Sequence, residues 1–161
     1  MKKQALRELT TIGDVLDTVA AFDRAAHSFY ADLAPRVSKS IRYLVEELAE
    51  AELAHIAMIE ALRHHPDVET HLRDAIERPN ADHRFSDAVH TPEMSAEPDD
   101  QAVLQYALAR EQVAIEEYSE LAASTPPGPL HDAFQFLANE ERKHKAEIEA
   151  LYYNIVHSGG V

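Results

Sequence analysis

The sequence contains no cysteine. This excludes disulfides, thiol catalysis and iron–sulfur or thiolate-bound zinc sites, so any metal would be held by histidine, carboxylate or backbone ligands. Glycine is also scarce, with 4 residues in 161, whereas 45% of the residues are hydrophobic and long stretches are rich in Ala, Leu and Glu. This composition predicts an all-α fold. The length suits a single domain, residues 1–161, that buries a core of its own.

Positive charge is in short supply as well. Lys and Arg number 15 against 29 Asp and Glu, for a formal net charge of −14. Such a surface repels phosphate backbones and anionic lipid headgroups, so nucleic acid and membranes are poor partners. No stretch approaches the ~20 apolar residues of a membrane-spanning helix, and residues 1–13 lack the apolar run of a signal peptide. We therefore expect a cytoplasmic protein.

Four segments carry apolar residues at intervals of three and four, which is the spacing of amphipathic helices. They run from about Thr11 to Leu33, from Ser38 to His64, from near Pro98 to just before Pro126, and from Leu130 to His157. Thr11 and Asp14 stand at capping-box spacing, and Ser38 is the expected cap of the second helix. Prolines or glycines follow each segment and predict its end.

These helices pair into two hairpins, at about 11–65 and 98–157, joined by a crossover at about 66–97. The crossover is polar and broken by prolines, with a short helix predicted around Val68 to Ile76. A connection of that length crosses the bundle rather than turning back, which is typical of ferritin-like four-helix bundles. We therefore predict that architecture.

The two hairpins repeat one another in sequence. "DRAAHSFYADLA" from Asp23 aligns with "EQVAIEEYSELA" from Glu111, and "ELAHIAMIEAL" from Glu52 aligns with "ERKHKAEIEAL" from Glu141. Two copies of one hairpin is the economical explanation. The repeat places an acid on each odd helix and a Glu-x-x-His motif on each even helix. Apolar residues at helical spacing surround these positions, so we expect them to face the core.

The candidate site residues are Asp23, Glu52, His55, Glu111, Glu141 and His144. In an antiparallel hairpin, residues equally far from the turn lie at the same level. Asp23 and Glu52 are equally far from the turn at Val37 and Ser38, and Glu111 and Glu141 are equally far from Pro126. If the apolar faces of the hairpins pack together, four carboxylates and two imidazoles should therefore meet in one layer of the core.

Such a layer needs positive charge. Four ionised, unpaired carboxylates in a core would cost far more than the ~5–15 kcal/mol stability of a domain. Six nitrogen and oxygen ligands suit a pair of first-row metal ions, in the pattern of di-iron or di-manganese carboxylate bundles. Glu52 and Glu141 would bridge the ions, Asp23 and Glu111 would each cap one ion, and the two histidines would each bind one.

The sequence resembles the rubrerythrin branch of the ferritin-like superfamily over nearly its whole length. The resemblance rests on "FDRAAHSFYADLA", "AEAELAHIAMIE", "AREQVAIEEYSELA" and "ANEERKHKAEIEAL". Bacterioferritins share the ligand order, but Leu53 follows Glu52 where their haem-ligating Met would be expected. Asp23 replaces the usual Glu of rubrerythrins, and Ala114 stands where rubrerythrins proper carry an extra carboxylate. Their cysteine-rich rubredoxin domain is absent.

The resemblance implies a site for two iron ions, with manganese or zinc as other candidates. It implies an oxidoreductase that reacts with hydrogen peroxide or dioxygen, either as a peroxidase or as a ferroxidase acting on ferrous iron. An external electron donor would be required, and a homodimer is expected from the family. The alternative is a non-catalytic bundle in which the metal is structural or merely carried.

Other polar residues have two interpretations each. His27 could be a supplementary ligand, but its repeat mate Ile115 favours a supporting or plain core role. Tyr30 and Tyr118 could donate hydrogen bonds to ligand carboxylates or be ordinary half-buried tyrosines. The crossover histidines could bind metal, but their irregular spacing favours a solvated surface. These histidines are His64, His65, His71, His83 and His90.

Overall fold

A computed structural model describes residues 11–76 and 94–159. In these ranges the chain forms four long helices and one short helix, with no β-strand. They are α1 (Ile12–Leu33), α2 (Lys39–Arg63), α3 (Pro66–Glu69), α4 (Asp100–Ala123) and α5 (Pro129–Gly159). The predicted all-α class and the four long helices are confirmed, with ends that differ from the prediction by a residue or two. None of the described helices is long and apolar enough to cross a membrane.

The long helices form two antiparallel hairpins. Helix α1 packs along α2 and α4 packs along α5, while α2 and α5 supply most of the helix contacts between the hairpins. Arg36, in the turn between α1 and α2, donates a hydrogen bond of 2.7 Å to the carbonyl of Met94. The end of the crossover therefore lies beside that turn, at the opposite end of the bundle from where α2 stops. The connection crosses the bundle as predicted.

The start of α1 is fixed by its own cap and by the crossover. The predicted capping box is present: the Thr11 hydroxyl accepts from the Asp14 N–H, and the Asp14 carboxylate accepts from the Thr11 N–H. The next N–H groups, of Ile12 and Gly13, donate to backbone carbonyls of the crossover at 3.0 and 2.8 Å. A Cβ at Gly13 would lie 3.0 Å from the oxygen of Leu72, so glycine permits this close approach.

The predicted helix around Val68 to Ile76 was wrong in its extent. Helix α3 covers only Pro66–Glu69, and Ala75 instead forms an isolated antiparallel bridge with Thr11. The reason is competition for carbonyl groups. In a longer helix the Leu72 carbonyl would accept from an N–H four residues later, whereas here it accepts from α1.

Ser38 occupies the expected cap position of α2 but does not cap it. Its side chain makes no capping hydrogen bond to the helix. The hydroxyl instead donates to the carboxylate of Asp100 at 2.7 Å, which ties the first turn to the beginning of α4. The Arg42 guanidinium completes the turn by donating to the carbonyls of Ala34 and Val37 at 3.0 and 2.9 Å.

The buried apolar side chains form two clusters. The first cluster, at the end where α1 begins, includes Leu16, Val19, Ile59, Leu121, Phe134 and Leu137. The second cluster, toward the turn between α1 and α2, includes Tyr30, Leu33, Ile41, Leu44, Leu48, Leu104 and Ile148. All four long helices contribute to both clusters. Each end of the bundle therefore has an apolar core of its own, and the four long helices run from one core to the other.

The register of α5 can be tested with two phenylalanines on the same helix. Phe134 is fully buried in the first cluster, whereas Phe136 is 46% exposed. We expect Phe134→Ala to lower the free energy of unfolding by about 3–5 kcal/mol, because it removes a buried ring and leaves a cavity. Phe136→Ala is the control and should cost far less. Denaturant unfolding of both variants gives the comparison, and equal losses would contradict the assigned register.

Candidate metal centre

A polar layer separates the two apolar clusters, and it contains all six predicted ligands. Every one of them is buried, with at most 7% of its surface exposed. Along α1, Asp23 lies between Phe22 of the first cluster and Ala26 of the second, and along α4, Glu111 lies between Ala114 and Ala107 in the same way. The layer thus sits at one level of the bundle, as the equal distances from the two turns predict.

The six side chains form two groups of three. The first group is Asp23, Glu52 and His55; the second group is Glu111, Glu141 and His144. In each group, one ligand atom from every residue lies within 4.8 Å of the others. Each group comes from a single hairpin, with an acid from its first helix (α1 or α4) and a Glu-x-x-His turn from its second helix (α2 or α5). The repeat in the sequence is therefore a repeat of the site as well.

The two groups are in contact with each other. Nδ1 of His55 lies 3.1 Å from Oε1 of Glu141, closer than the 3.8 Å that separates it from Glu52. In the second group, Nδ1 of His144 lies 3.8 Å from Glu141. The two imidazole rings are 6.2 Å apart, measured between their centroids. The structure therefore brings all six predicted residues together in one centre.

Several potential ligand atoms in this centre lack hydrogen-bond partners. Among the described residues, Oε2 of Glu52, Oε2 of Glu111, Oε1 of Glu141 and Nδ1 of both histidines have none. The short distance from His55 to Glu141 is an ion-pair distance, but its geometry is not that of a hydrogen bond. Buried polar atoms without partners are costly. Nitrogen and oxygen atoms bound to one first-row ion lie roughly 3–3.5 Å apart. The 3.1 Å between Nδ1 of His55 and Oε1 of Glu141 matches this spacing, so the residues present fit such an ion.

The pKa shifts in the layer also indicate a site that favours a cation. Burial raises the pKa of Asp23 well above its usual range, with the charge of Glu52 adding to the effect, and burial also raises the pKa of Glu52. Burial would lower the pKa of His55, but the carboxylates of Glu141 and Glu52 outweigh it and raise this pKa to about 10. Burial would raise the pKa of Glu141, but His144 and His55 outweigh it and lower this pKa. The layer thus favours positive charge.

The two repeated tyrosines behave differently. The Tyr118 hydroxyl donates to both carboxylate oxygens of Asp23, at 3.1 and 3.3 Å, and so reaches from α4 to α1. Burial raises the pKa of Tyr30 far above its usual range, and its hydroxyl has no hydrogen-bond partner in the described part of the chain. The predicted hydrogen bond to a candidate ligand is therefore confirmed for Tyr118 and absent for Tyr30 within 11–76 and 94–159.

The remaining histidine candidates belong to neither group of three. His27 donates from Nδ1 to the carbonyl of Ala49 at 2.9 Å, which links α1 to α2 and supports the core interpretation. The described crossover histidines are exposed: His65 accepts from the N–H of Asp67, and His71 contacts Asp74 at 2.6 Å. His64 is exposed as well. The other two, His83 and His90, lie outside the described residues.

Two buried charged residues on α4 were missed by the sequence analysis. Arg110 is 4% exposed and Glu117 is fully buried. The Arg110 guanidinium stacks over the ring of Phe22, 4.5 Å from its centroid, and donates to the Phe22 carbonyl at 3.2 Å and the Tyr106 hydroxyl at 3.1 Å. Their burial could have been predicted from their positions, because both residues continue the buried stripe of Ala107 and Ala114 at helical spacing.

Comparison with known proteins adds a family assignment to this geometry. The sequence model of the rubrerythrin family matches residues 14–152, which is most of the chain. Neither the curated proteins nor the solved structures yielded a match. The matched range includes both three-residue groups. The role of the six residues as metal ligands remains a prediction, which the following two experiments test.

Glu52→Gln should change stability and metal binding in opposite directions. The amide keeps the shape of the side chain but removes a buried negative charge, so the metal-free protein should gain about 1 kcal/mol or more in free energy of unfolding. Binding of two divalent ions should weaken because a carboxylate that is predicted to bridge them is lost. Chemical denaturation without metal and metal analysis after dialysis give the two results. The control is Glu50→Gln, an exposed position on α2; a loss of metal-free stability in Glu52→Gln would contradict the assignment.

Tyr118→Phe and Tyr30→Phe form a matched pair at repeated positions. Removing the Tyr118 hydroxyl leaves Asp23 without its hydrogen bonds. We expect this to weaken binding of one divalent ion by about 10–100-fold, the usual effect of losing a hydrogen bond to a ligand. Tyr30→Phe should leave binding nearly unchanged, because the Tyr30 hydroxyl has no partner among the described residues. Calorimetric titration measures both, and equal effects in the two variants would refute the distinction.

Proposed function

The chain belongs to the rubrerythrin family, and we propose that its buried layer holds two iron ions that react with hydrogen peroxide or dioxygen. The observation that carries this proposal is the meeting of two matching groups of ligands in one place. Each group has three buried residues, and His55 of the first group lies 3.1 Å from Glu141 of the second. Nitrogen and oxygen ligands without sulfur suit iron, and manganese or zinc would suit the same residues.

The proposed roles follow from where the residues lie. Glu52 and Glu141 belong to the facing helices α2 and α5, so each can serve both ions as a bridge. Asp23 and Glu111 each belong to one group and would cap one ion. His55 and His144 would each bind one ion through Nδ1, the atom that each turns toward the carboxylates.

Two ferrous ions held by these residues would supply one electron each, and the two electrons with two protons would convert one hydrogen peroxide into two waters. The surrounding chain holds the ligands still and keeps bulk water away. The first cluster closes the layer on one side and the second cluster closes it on the other. Tyr118 holds the Asp23 carboxylate in place from the neighbouring hairpin.

The electrons must then be replaced from a source other than these helices. The sequence has no cysteine, so it provides no thiolate-bound iron that could relay electrons to the layer. We propose that a separate reductant serves this purpose in peroxide reduction. In ferroxidase turnover, ferrous iron itself would be the substrate and the source of electrons. The alternative of a non-catalytic metal bundle makes the opposite prediction, that peroxide leaves the loaded protein unchanged.

Anaerobic loading with about two ferrous ions per chain, followed by rapid mixing with peroxide, tests the proposal. We expect the absorption of ferric protein to appear within the mixing experiment, about one peroxide to be consumed per pair of irons, and the colour to bleach on adding a reductant. Glu141→Ala should hold fewer than two irons and slow this oxidation at least about tenfold.

The matched control is Glu147→Ala, an exposed position on the same helix. This variant should bind and oxidise iron like the unmodified chain. Slow oxidation no faster than that of iron in buffer, in protein that holds both ions, would refute the catalytic proposal and support the structural alternative. Full binding of two ions by Glu141→Ala would instead refute the ligand assignment.

A further inference from the structure

The two halves of the layer share a sequence pattern but differ in their surroundings. We propose that the Glu111 group (Glu111, Glu141, His144) takes up a divalent ion first, and that the Asp23 group (Asp23, Glu52, His55) binds the second ion more weakly and exchanges it. This inference rests on the proposed function, because it assumes that both groups hold metal. It adds an order of loading that the two-ion site alone does not imply.

The first observation is the difference in the two capping acids. Asp23 and Glu111 occupy equivalent positions of the repeat, on α1 and α4, and both are almost fully buried. Aspartate is one methylene shorter than glutamate, so its carboxylate stays closer to its own helix. It also has one fewer rotatable bond with which to adjust to an ion. The Asp23 group therefore has the shorter and less adaptable cap.

The second observation is the hydrogen bonding of these acids. Both oxygens of Asp23 accept from the Tyr118 hydroxyl, at 3.1 and 3.3 Å. At the repeated position, Oε2 of Glu111 has no hydrogen-bond partner in the described ranges, and neither does the hydroxyl of Tyr30. The Tyr118 hydroxyl can keep this hydrogen bond while Asp23 binds an ion through its remaining lone pairs, so the bond holds the acid without competing with the ion. Oε2 of Glu111 is buried without a hydrogen-bond partner, which is unfavourable, so an ion that binds this oxygen removes that cost.

The third observation concerns the imidazoles. Nδ1 of His55 is closer to Glu141, in the other group, than to Glu52 in its own group, at 3.1 against 3.8 Å. The ligand nitrogen of the Asp23 group is thus engaged with a carboxylate of the opposite hairpin. On the proposed function Glu141 would bridge the two ions, and its 3.1 Å distance from His55 is one at which both residues would hold the same ion. An ion already held by Glu141 would fix this carboxylate beside His55 and so prepare the Asp23 group for the second ion.

These observations predict sequential loading. The Glu111 group should fill at the first equivalent of metal, and the Asp23 group should fill at the second with lower affinity. The weaker half would be the place where an ion arrives and leaves. In ferroxidase turnover, this half would then exchange the substrate iron while the other half keeps its ion.

Zinc(II) is a suitable probe because it is diamagnetic and does not react with peroxide or dioxygen. The side chains of the histidines can be followed by nuclear magnetic resonance in protein labelled with ¹⁵N-histidine. His55→Gln and His144→Gln assign the two signals. At about one equivalent of zinc we expect the His144 signal to move to its bound position while the His55 signal keeps its metal-free position. The His55 signal should move only as the second equivalent is added.

Reciprocal variants test the cause. Asp23→Glu should strengthen binding of the second zinc ion. The ratio of the two dissociation constants should fall at least about tenfold, which is the usual size of effects from ligand positioning. Glu111→Asp should weaken binding of the first ion by a similar factor. The control is Asp132→Glu, an exposed position on α5, which should leave both affinities unchanged. Calorimetric titration measures the affinities independently of the histidine signals.

The outcomes separate this inference from the proposed function. If His55 responds first, or if both histidines respond together in the unmodified chain, the order of loading is refuted. Two tight zinc ions of equal affinity, together with peroxide oxidation of the iron-loaded protein, would refute the order while leaving the proposed function intact. Failure of zinc and ferrous iron to bind at all would overturn both. An unchanged gap in Asp23→Glu would refute the role of the shorter acid.

Discussion

The constraint on which the rest of this structure depends is the burial of four carboxylates in one layer of a helical core. Such a layer is unfavourable without compensating positive charge, and the stability of a domain leaves little room for it. Two imidazoles in the same layer supply part of this positive charge, whereas the apolar cluster on each side supplies none. The elevated pKa of His55, which follows from the carboxylates of Glu141 and Glu52, is the direct sign of this demand for charge.

The layer also dictates how the helices must be placed. Residues from four helices can meet at one level only if both hairpins have their turns at matching distances, so small shifts along a helix axis would take a ligand out of the layer. Alanines flank the layer on each long helix, including Ala26, Ala49, Ala114 and Ala138, and all four are buried. Their small side chains let the helices approach closely enough for the ligands to meet. Contacts at the bundle ends, such as Ser38 with Asp100, hold the axial positions.

Much of this arrangement could be predicted from the sequence, because it is encoded in periodic and repeated patterns. The long helices follow from apolar spacing, and the level of Asp23 with Glu52 follows from equal distances to a turn. What could not be predicted depends on partners distant in the chain. The Leu72 carbonyl accepts a hydrogen bond from the Gly13 N–H, so the predicted crossover helix ends early. The Ser38 hydroxyl donates to Asp100 instead of capping the helix that Ser38 precedes. A local pattern contains no information about such competitors.

The buried Arg110 also depends on a partner distant in the chain. Arg110 and Phe22 are repeat mates, and they contact each other where α1 and α4 meet. Differences between the copies, at Asp23 and Glu111 as well as here, concentrate on α1 and α4, whereas α2 and α5 both keep Glu-x-x-His. On the proposed function this has a physical reason. A bridging glutamate serves both ions, so changing it would affect the whole centre, whereas a capping acid serves one ion and can change while the other half keeps its ligands.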